Sequence, residues 1–519
     1  MIGMRPADYP PGPPTLPLIG NLHQMPMSDI HLKLQEWAKK YGSIYSLKLG
    51  GQTLVVLSSA GAVKDLLEKR SGIYSARPDV FIREFGDDLN ILMRTNDETW
   101  RRQRKMYHVR LNGRVADNYI PYQDLETKQL LADLLHQPDD FTYHVKRLTS
   151  SLASTIVYGW RTTSVDLPQV KKLFEWIDGY AVAAGRMQVM DWYPFLRPIF
   201  RRLPKSLSGI QDQIVYLKDL EHNLWMDLLK NAQENIKDGK LNPSFCRDML
   251  LSKDSEKDGL TDVEIAFNAG HAWAGATDTT YNTTMGFIKA MILFPGVQKA
   301  AQKELDNVIG TERLPEWSDL DALPYIRSCV KEALRWMPTT ITGGMPHCLT
   351  KDDKYMGYKI PAGAAILNNV WTLNNDDGRV RNSREYDPSR HFGDNTSSQE
   401  SAVQADFNKR DHFTFGAGRR ICPGLHVADR SLFLTFSRLL WAFDMEPEGE
   451  LVGKVDPVLR DAVTPGFIVA PVPYKCKFTP RSEERAQKIR DIWAKSTCYL
   501  DKSGNYEEDF FSRHFSDWK

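Results

Sequence analysis

The residues best placed to do chemistry lie in one short run, Phe415-Gly416-Ala417-Gly418-Arg419-Arg420-Ile421-Cys422-Pro423-Gly424. Gly416 and Gly418 permit left-handed backbone and let the chain approach a flat ligand closely. The run leads straight into an apolar helical pattern, Leu425 to Phe443, so Cys422 precedes a helix N-terminus. Free N–H groups and the helix dipole stabilise a thiolate there. Arg420 adds positive charge two residues away, and Pro423 suits the start of a helix. The chemistry on offer is that of a rigidly held, shielded thiolate.

Three further runs carry polar groups at helical spacing. Leu323-Pro324-Tyr325 opens a helix bearing Glu332 and Arg335, which are i and i+3 and share a face. Alone, such a pair is an ordinary surface ion pair worth little. Trp100 and Arg104 are i and i+4, and arginine offers a carboxylate its planar fork. Ala274-Gly275-Ala276-Thr277-Asp278-Thr279-Thr280 places small residues, hydroxyls and one acid inside a long helical pattern, Thr261 to Leu293.

Taken together, these runs resemble the cytochrome P-450 superfamily. Its haem loop reads Phe-x-x-Gly-x-Arg-x-Cys-x-Gly, and Phe415, Gly418, Arg420, Cys422 and Gly424 fill the fixed positions. The resemblance implies haem b, with Cys422 as the axial ligand of its iron and Arg420 paired with a haem propionate. A thiolate ligand pushes electron density onto iron and favours O–O cleavage. Glu332 and Arg335 stand about 90 residues before Cys422, as the family pattern requires. Arg390, in Asp387-Pro388-Ser389-Arg390-His391-Phe392, would complete a structural triad; the family usually has Pro-Glu-Arg-Phe, so Ser389 and His391 depart from it. Gly275 to Thr280 fits the oxygen-activating helix, with Ala276 where glycine is usual. By that match a threonine hydroxyl bonding out of register opens a groove for oxygen, Thr279 steadies the bound oxygen, and Asp278 relays protons. Trp100 and Arg104 match the family's Trp-x-x-x-Arg and are expected on a propionate, with His347 as a further propionate partner.

The elements that must position these groups are mostly helical. Helical patterns run over His31 to Tyr41, Gly61 to Lys69, Tyr122 to His136, Gln213 to Lys237, Gly296 to Val308 and Leu323 to Trp336. Ile44 to Leu49 and Thr53 to Leu57, split by Gly50-Gly51, read as a β-hairpin. Shorter β candidates are Tyr355 to Ile360, Ala365 to Asn369 and Gly466 to Pro471. Pro10 to Pro17 form a stiff, extended strap. The expected fold is mainly α with a small β-rich lobe, which the resemblance makes a triangular single domain of the P-450 fold. It divides into an N-terminal segment with the strap (1–26), the haem-thiolate domain (27–480) and a charged tail (481–519). Ile489, Ile492 and Trp493 of the tail suit a docking helix or a solvated appendage equally.

Composition excludes several classes. With 42% hydrophobic and 26% charged residues, the 519-residue chain is neither disordered nor collagenous. A net charge of +1 gives no global signal for nucleic acid. Six scattered cysteines without a Cys-x-x-Cys pair argue against a disulfide framework or zinc ribbon and fit a reducing compartment. No apolar run reaches about 18 residues, and Met1 to Tyr9 lacks a signal-peptide core.

By resemblance the function is monooxygenation of a small hydrophobic substrate, a terpenoid, alkaloid or polyketide of fungal secondary metabolism. Electrons would come from NADPH through a diflavin reductase, with cytochrome b5 as an optional second donor. Arg101, Arg102, Arg104, Lys105, Arg110 and Arg114, with Lys409, Arg410, Arg419 and Arg430, form an expected docking face for an acidic donor. By the same resemblance the pocket lining comes from Phe81 to Asn90, part of Gly185 to Phe200, Phe267 to Ala276, Thr339 to Met345 and Thr464 to Ile468, which hold Phe81, Phe85, Phe267, Trp273, Thr340, Ile341, Met345 and Phe467, residues that core packing would explain equally well. The implied location is the cytosolic face of the endoplasmic reticulum membrane. This chain starts about where the family's anchor helix would end, so peripheral contact is the alternative to an anchor. Two rival functions are a same-fold isomerase, dehydratase or peroxygenase, against which Asp278-Thr279 argues, and a non-enzymatic haem protein.

Overall fold

The structure, a computed structural model, describes residues 2–516 apart from 86, 203–208, 241, 253–256, 258, 452–455 and 467. Its spine is the helix Asp262–Leu293. At 1.5 Å per residue, 32 residues span about 48 Å. A reciprocal cap starts it: the Thr261 hydroxyl accepts from the Glu264 N–H, and the Glu264 carboxylate accepts from the Thr261 N–H. Pro295 follows Phe294 at its end and opens the next helix, Pro295–Val308. The spine packs most extensively on Phe141–Tyr158, and Ile210–Lys237 crosses it. Gly270 makes that crossing close, since a Cβ there would fall 2.1 Å from the Trp225 ring. Further along, Phe287 stacks on Phe436 of Leu425–Ala442 with centroids 3.7 Å apart, which joins the spine to the helix behind the cysteine loop.

The β lobe is a four-stranded sheet in the order β1-β2-β6-β3. β1 (Ile44–Leu49) and β2 (Gln52–Leu57) form the expected hairpin, and Gly50 adopts φ +57° at its turn. β6 (Ala365–Asn368) runs parallel to β2, and β3 (His347–Cys348) antiparallel to β6. The proline strap lies along β1, with Ser46 N–H donating to the Pro11 carbonyl (2.7 Å) and Ser46 Oγ to Pro10 (2.6 Å). Tyr355 to Ile360 is a hairpin rather than one strand: β4 (Asp353–Tyr355) and β5 (Tyr358–Ile360) turn at Met356-Gly357. Among the described residues of Gly466 to Pro471 there is no strand, only a bridge from Pro471 to Val463. The segment Gly61 to Lys69 begins as an α-helix and widens to a π-helix over Lys64–Lys69.

The tail is folded onto the body. Glu483–Ser496 packs on Ile120–His136 with Ile489 buried, and β8 (Lys475–Pro480) ahead of it pairs with β7 (Phe443–Glu448). The final helix, Glu508–His514, buries Phe510 and Phe511, and Phe515 follows it into the core. Tyr122 meets Tyr506, Phe510 and Phe515 at 5.3, 5.7 and 4.6 Å between centroids. Beneath this aromatic plug lies Glu126, bonded to Arg147 (2.7 Å) and Arg161 (2.6 Å). Burial pushes the Glu126 carboxyl up, but the two arginines outweigh it and bring it to about 2. Arg161 also donates to the Gly504 carbonyl (2.6 Å), closing the tail over the ion pair. Phe510→Ala is therefore expected to cost about 3 kcal/mol or more, read as a lower denaturant midpoint of unfolding, whereas Phe195→Ala, at an exposed ring, should leave the midpoint unchanged.

Candidate active site

The cysteine loop is fixed by two glycines of unequal importance. Gly418 (φ +64°) packs against the π-helical segment so tightly that a Cβ would lie 1.9 Å from the Leu67 carbonyl oxygen. Gly416 (φ +74°) has only the Arg420 carbonyl at 4.0 Å. The loop closes on itself through the Cys422 N–H, which donates to the Phe415 carbonyl at 2.8 Å. Burial raises the Cys422 pKa, while the Gly424 N–H and the Arg104 guanidinium oppose that rise. These are the two kinds of group that favour a thiolate, a helix-entry amide and a cation.

Around the loop is a set of cations with backbone carbonyls as their main partners. Arg420 donates to the carbonyls of Ser75 (3.0 Å), Ile91 (3.2 Å) and Arg94 (2.7 Å) and lies 4.0 Å over the Trp100 ring. Trp100 Nε1 is buried without a partner. Arg104 donates to the Ile421 carbonyl. His347 uses Nδ1 on the Tyr74 carbonyl (2.9 Å). Burial, then the charges of Arg77 and Arg104, push Arg420 down to about 8. Burial, then Arg77, push His347 down to about 3. Guanidinium groups stay charged, so Arg77, Arg104 and Arg420 bring positive charge into a buried place where most of their partners are backbone carbonyls. A buried dianion bearing carboxylates fits this pocket, which is the charge that two haem propionates bring.

Arg77 belongs to the same set and sequence reasoning missed it. It donates to the Leu92 carbonyl (2.8 Å) and the Pro346 carbonyl (3.0 Å), and burial lowers its pKa to about 9. Its one sequence signal was Pro78, which holds Arg77 in extended backbone rather than on a helix face.

The spine helix presents an open face at Gly275, where a Cβ would meet no atom within 4 Å. Thr279 Oγ1 donates to the Gly275 carbonyl at 2.7 Å. That is an i to i−4 bond, in step with the helix ladder, so the expected out-of-register opening is corrected: the helix runs unbroken. Asp278 is one residue, about 100°, away. Its neighbours are Asn282, Asp178 and Lys146, and burial first, then Asp178, raise its pKa to about 6. Lys146 lies 3.6 Å over the Phe174 ring.

Glu332, Arg335 and Arg390 meet as expected. Arg335 grips Glu332 through Nε (2.9 Å) and Nη2 (2.8 Å), and Arg390 Nε approaches at 3.4 Å. A narrow cleft opens between residues 82–83, 87–90 and 93, the helices Pro168–Trp192 and Ile210–Lys237, and the spine. Leu89, Met93, Tyr180, Leu217 and Phe267 supply apolar wall, and Arg83, Asp87, Asp88, Lys218 and Glu221 line it as well. The expected segment Phe81 to Asn90 lines it through Ile82, Arg83 and 87–90, and of the individually expected residues that are described Phe267 is there. Phe81 packs on Phe200 at 5.7 Å, Trp273 on Trp160 at 5.7 Å, and Ile341 joins the Trp371 core. Met345 packs beside the Phe81 core, and Thr340 donates to the Thr414 carbonyl (3.0 Å). Phe467 and the Phe85 side chain lie outside the described residues.

The expected basic face is thinner than its sequence. Arg102 pairs with Glu264, Arg410 with Glu68 and Arg430 with Asp117, while Arg104 and Arg110 point inward. Arg101, Lys105, Arg114, Lys409 and Arg419 remain exposed.

A family model described as Cytochrome P450 matches residues 10–478. The chain is 43% identical over 506 residues to "Cytochrome P450 monooxygenase virE" of Hypocrea virens, covering 96% of this chain and 90% of that one. It is 40% identical over 507 residues to "Cytochrome P450 monooxygenase fogE" of Aspergillus ruber, covering 96% and 92%. It is 39% identical over 513 residues to "Cytochrome P450 monooxygenase fsoB" of Humicola fuscoatra, covering 98% and 93%.

Two glycine substitutions separate strain from collision. Gly416→Ala should cost about 1–2 kcal/mol of left-handed strain and keep haem. Gly418→Ala must also displace the Leu67 carbonyl and should lose most of its haem, measured as haem absorbance per mole of purified chain.

Proposed function

The chain belongs to the cytochrome P450 family, and we propose that this monooxygenase hydroxylates a small hydrophobic secondary metabolite with electrons from NADPH through a diflavin reductase. The observation that supports the site assignment is the cluster of Arg77, Arg104 and Arg420 around the cysteine loop, whose guanidinium groups bond mainly backbone carbonyls among the described residues. When bound, the haem supplies a redox-active iron that, with two electrons and two protons, puts one atom of O2 into a C–H bond and the other into water. Cys422 would hold its iron as a thiolate. Arg420, Arg77, Arg104 and His347 would hold the propionates, with the Trp100 N–H as a further donor.

The remaining roles fall to groups on the spine. Gly275 leaves room above the flat cofactor. Thr279 Oγ1, which carries one proton and two lone pairs, accepts and passes a proton there. Asp278 is the proton source behind it. With a pKa near 6 it is part protonated around neutrality, where a general acid is most useful. Lys146 and Asp178 set its charge environment. The cleft over Phe267 receives the substrate.

Two surfaces serve partners. The exposed Arg101, Lys105, Arg114, Lys409 and Arg419 dock the acidic reductase by steering rather than tight contact. No helix among the described residues is long and apolar enough to cross a membrane. Leu16, Leu18 and Ile19 on the strap and Phe195 and Ile199 after Trp192 are exposed, and the Tyr193 hydroxyl ties the two by donating to the Leu18 carbonyl (3.3 Å). This apolar tip rests on the bilayer surface.

Reductase-supported turnover should fall steeply with ionic strength. Charge reversal at Arg101 and Arg419 should raise the reductase concentration for half-maximal rate about tenfold without changing substrate binding; no change would refute the docking face. Asp278→Asn should lower kcat by about 10²-fold, increase peroxide release per NADPH, and remove the fall in kcat as pH rises through about 6.

A further inference from the structure

Glu332 has a partner beyond the two arginines. His391 is buried, and both its ring nitrogens meet carboxylates: Nε2 lies 3.0 Å from Glu332 Oε2, and Nδ1 lies 3.1 Å from Asp411 Oδ1. A neutral imidazole has one N–H and one lone pair. A lone pair cannot face a carboxylate oxygen, so both nitrogens donate and the ring is an imidazolium.

We propose that His391 is a positioning residue, a cationic strut that braces the Cys422 loop against the Glu332 hub where the family pattern has an uncharged aromatic. Asp411 begins the loop segment that reaches Phe415, whose carbonyl holds the Cys422 N–H. Its own N–H donates to Ser401 Oγ (2.9 Å), and Lys331 bonds its carboxylate at 3.1 Å. The strut thus spans two rigid bodies, the helix Pro324–Trp336 and the loop.

The charges around the ring are Glu332, Lys331 and Arg335 from that helix, Asp411 and His412 from the loop, and Arg390 and Asp394 from its own segment. Burial pulls the His391 pKa down, but the hydrogen bonds to Asp411 and Glu332 outweigh it and raise it. A raised folded pKa means that the strut's contribution is complete below the ordinary histidine value near 6.5. It is lost as pH climbs through the raised value. Failure therefore lies on the alkaline side.

Selective ¹⁵N labelling of histidine in the purified full-length chain tests the charge. One of the twelve imidazoles should keep both protons above the ordinary histidine value near 6.5, and His391→Gln should erase that signal. If no imidazole does so, the proposal fails. The thiolate-type carbon monoxide band, followed against pH, tests the brace, and this arm alone rests on the haem-thiolate reading. Wild type should lose the band on the alkaline side. Asp411→Asn should move that midpoint down by about 1 pH unit or more, the effect of losing one carboxylate neighbour, and His391→Phe should abolish the step. Identical alkaline profiles in wild type and Asp411→Asn would overturn the brace even if His391→Phe did not fold. A wild type with no such band at any pH would refute the haem-thiolate reading and leave the labelling result to decide the charge.

Discussion

Glu332 is a carboxylate with no solvent contact, and the cysteine side of the molecule is built around neutralising it. Oε1 accepts from Arg335, the Asp387 N–H (3.0 Å) and Arg390; Oε2 accepts from Arg335 and faces His391. Burial would push its pKa up, but Arg335 above all brings it to about 2. Removing one partner of such a buried set costs about 3–5 kcal/mol, because the charge left behind has no water. The donors come from two stretches of chain, Arg335 from the helix of Glu332 itself and Asp387, Arg390 and His391 from the segment 387–391. Satisfying one carboxylate therefore fixes the helix Pro324–Trp336, the segment 387–391 and, through Asp411, the loop that presents Cys422.

The opposite electrostatic condition holds a short distance along. Arg77, Arg104 and Arg420 repel one another and find mostly carbonyl dipoles. A saturated negative hub and an unsatisfied positive pocket border the same loop. The first ties the loop into a network of the protein's own charges, and the second would suit a cofactor that carries carboxylates. The spine helix then needs only to leave space, which Gly275 does.

The sequence was most informative where chemistry demands fixed spacing. The loop glycines, Cys422, the Glu332–Arg335 pair and the Gly50-Gly51 hairpin all follow from local rules that need no tertiary knowledge. It was least informative where one residue type serves two purposes. Phe81, Trp273 and Phe267 read alike, yet only Phe267 lines the cleft, because which side of a packed layer a ring enters depends on segments far away in the chain. Ten basic residues read as one patch, yet half of them turn inward to partners such as Glu68, Asp117 and Glu264. His391 read as a departure from a pattern, since nothing nearby in sequence announces Asp411 as its second partner.

The aromatic plug of the tail has a consequence for synthesis. Arg161 is bonded to Gly504, 343 positions later in the chain. During translation the Glu126–Arg147–Arg161 cluster leaves the ribosome long before Tyr506 and Phe510 exist to cover it. Contacts this distant are the slowest to form, so this charged cluster stays uncovered, and open to chaperones, until the segment that carries Tyr506 and Phe510 has been made.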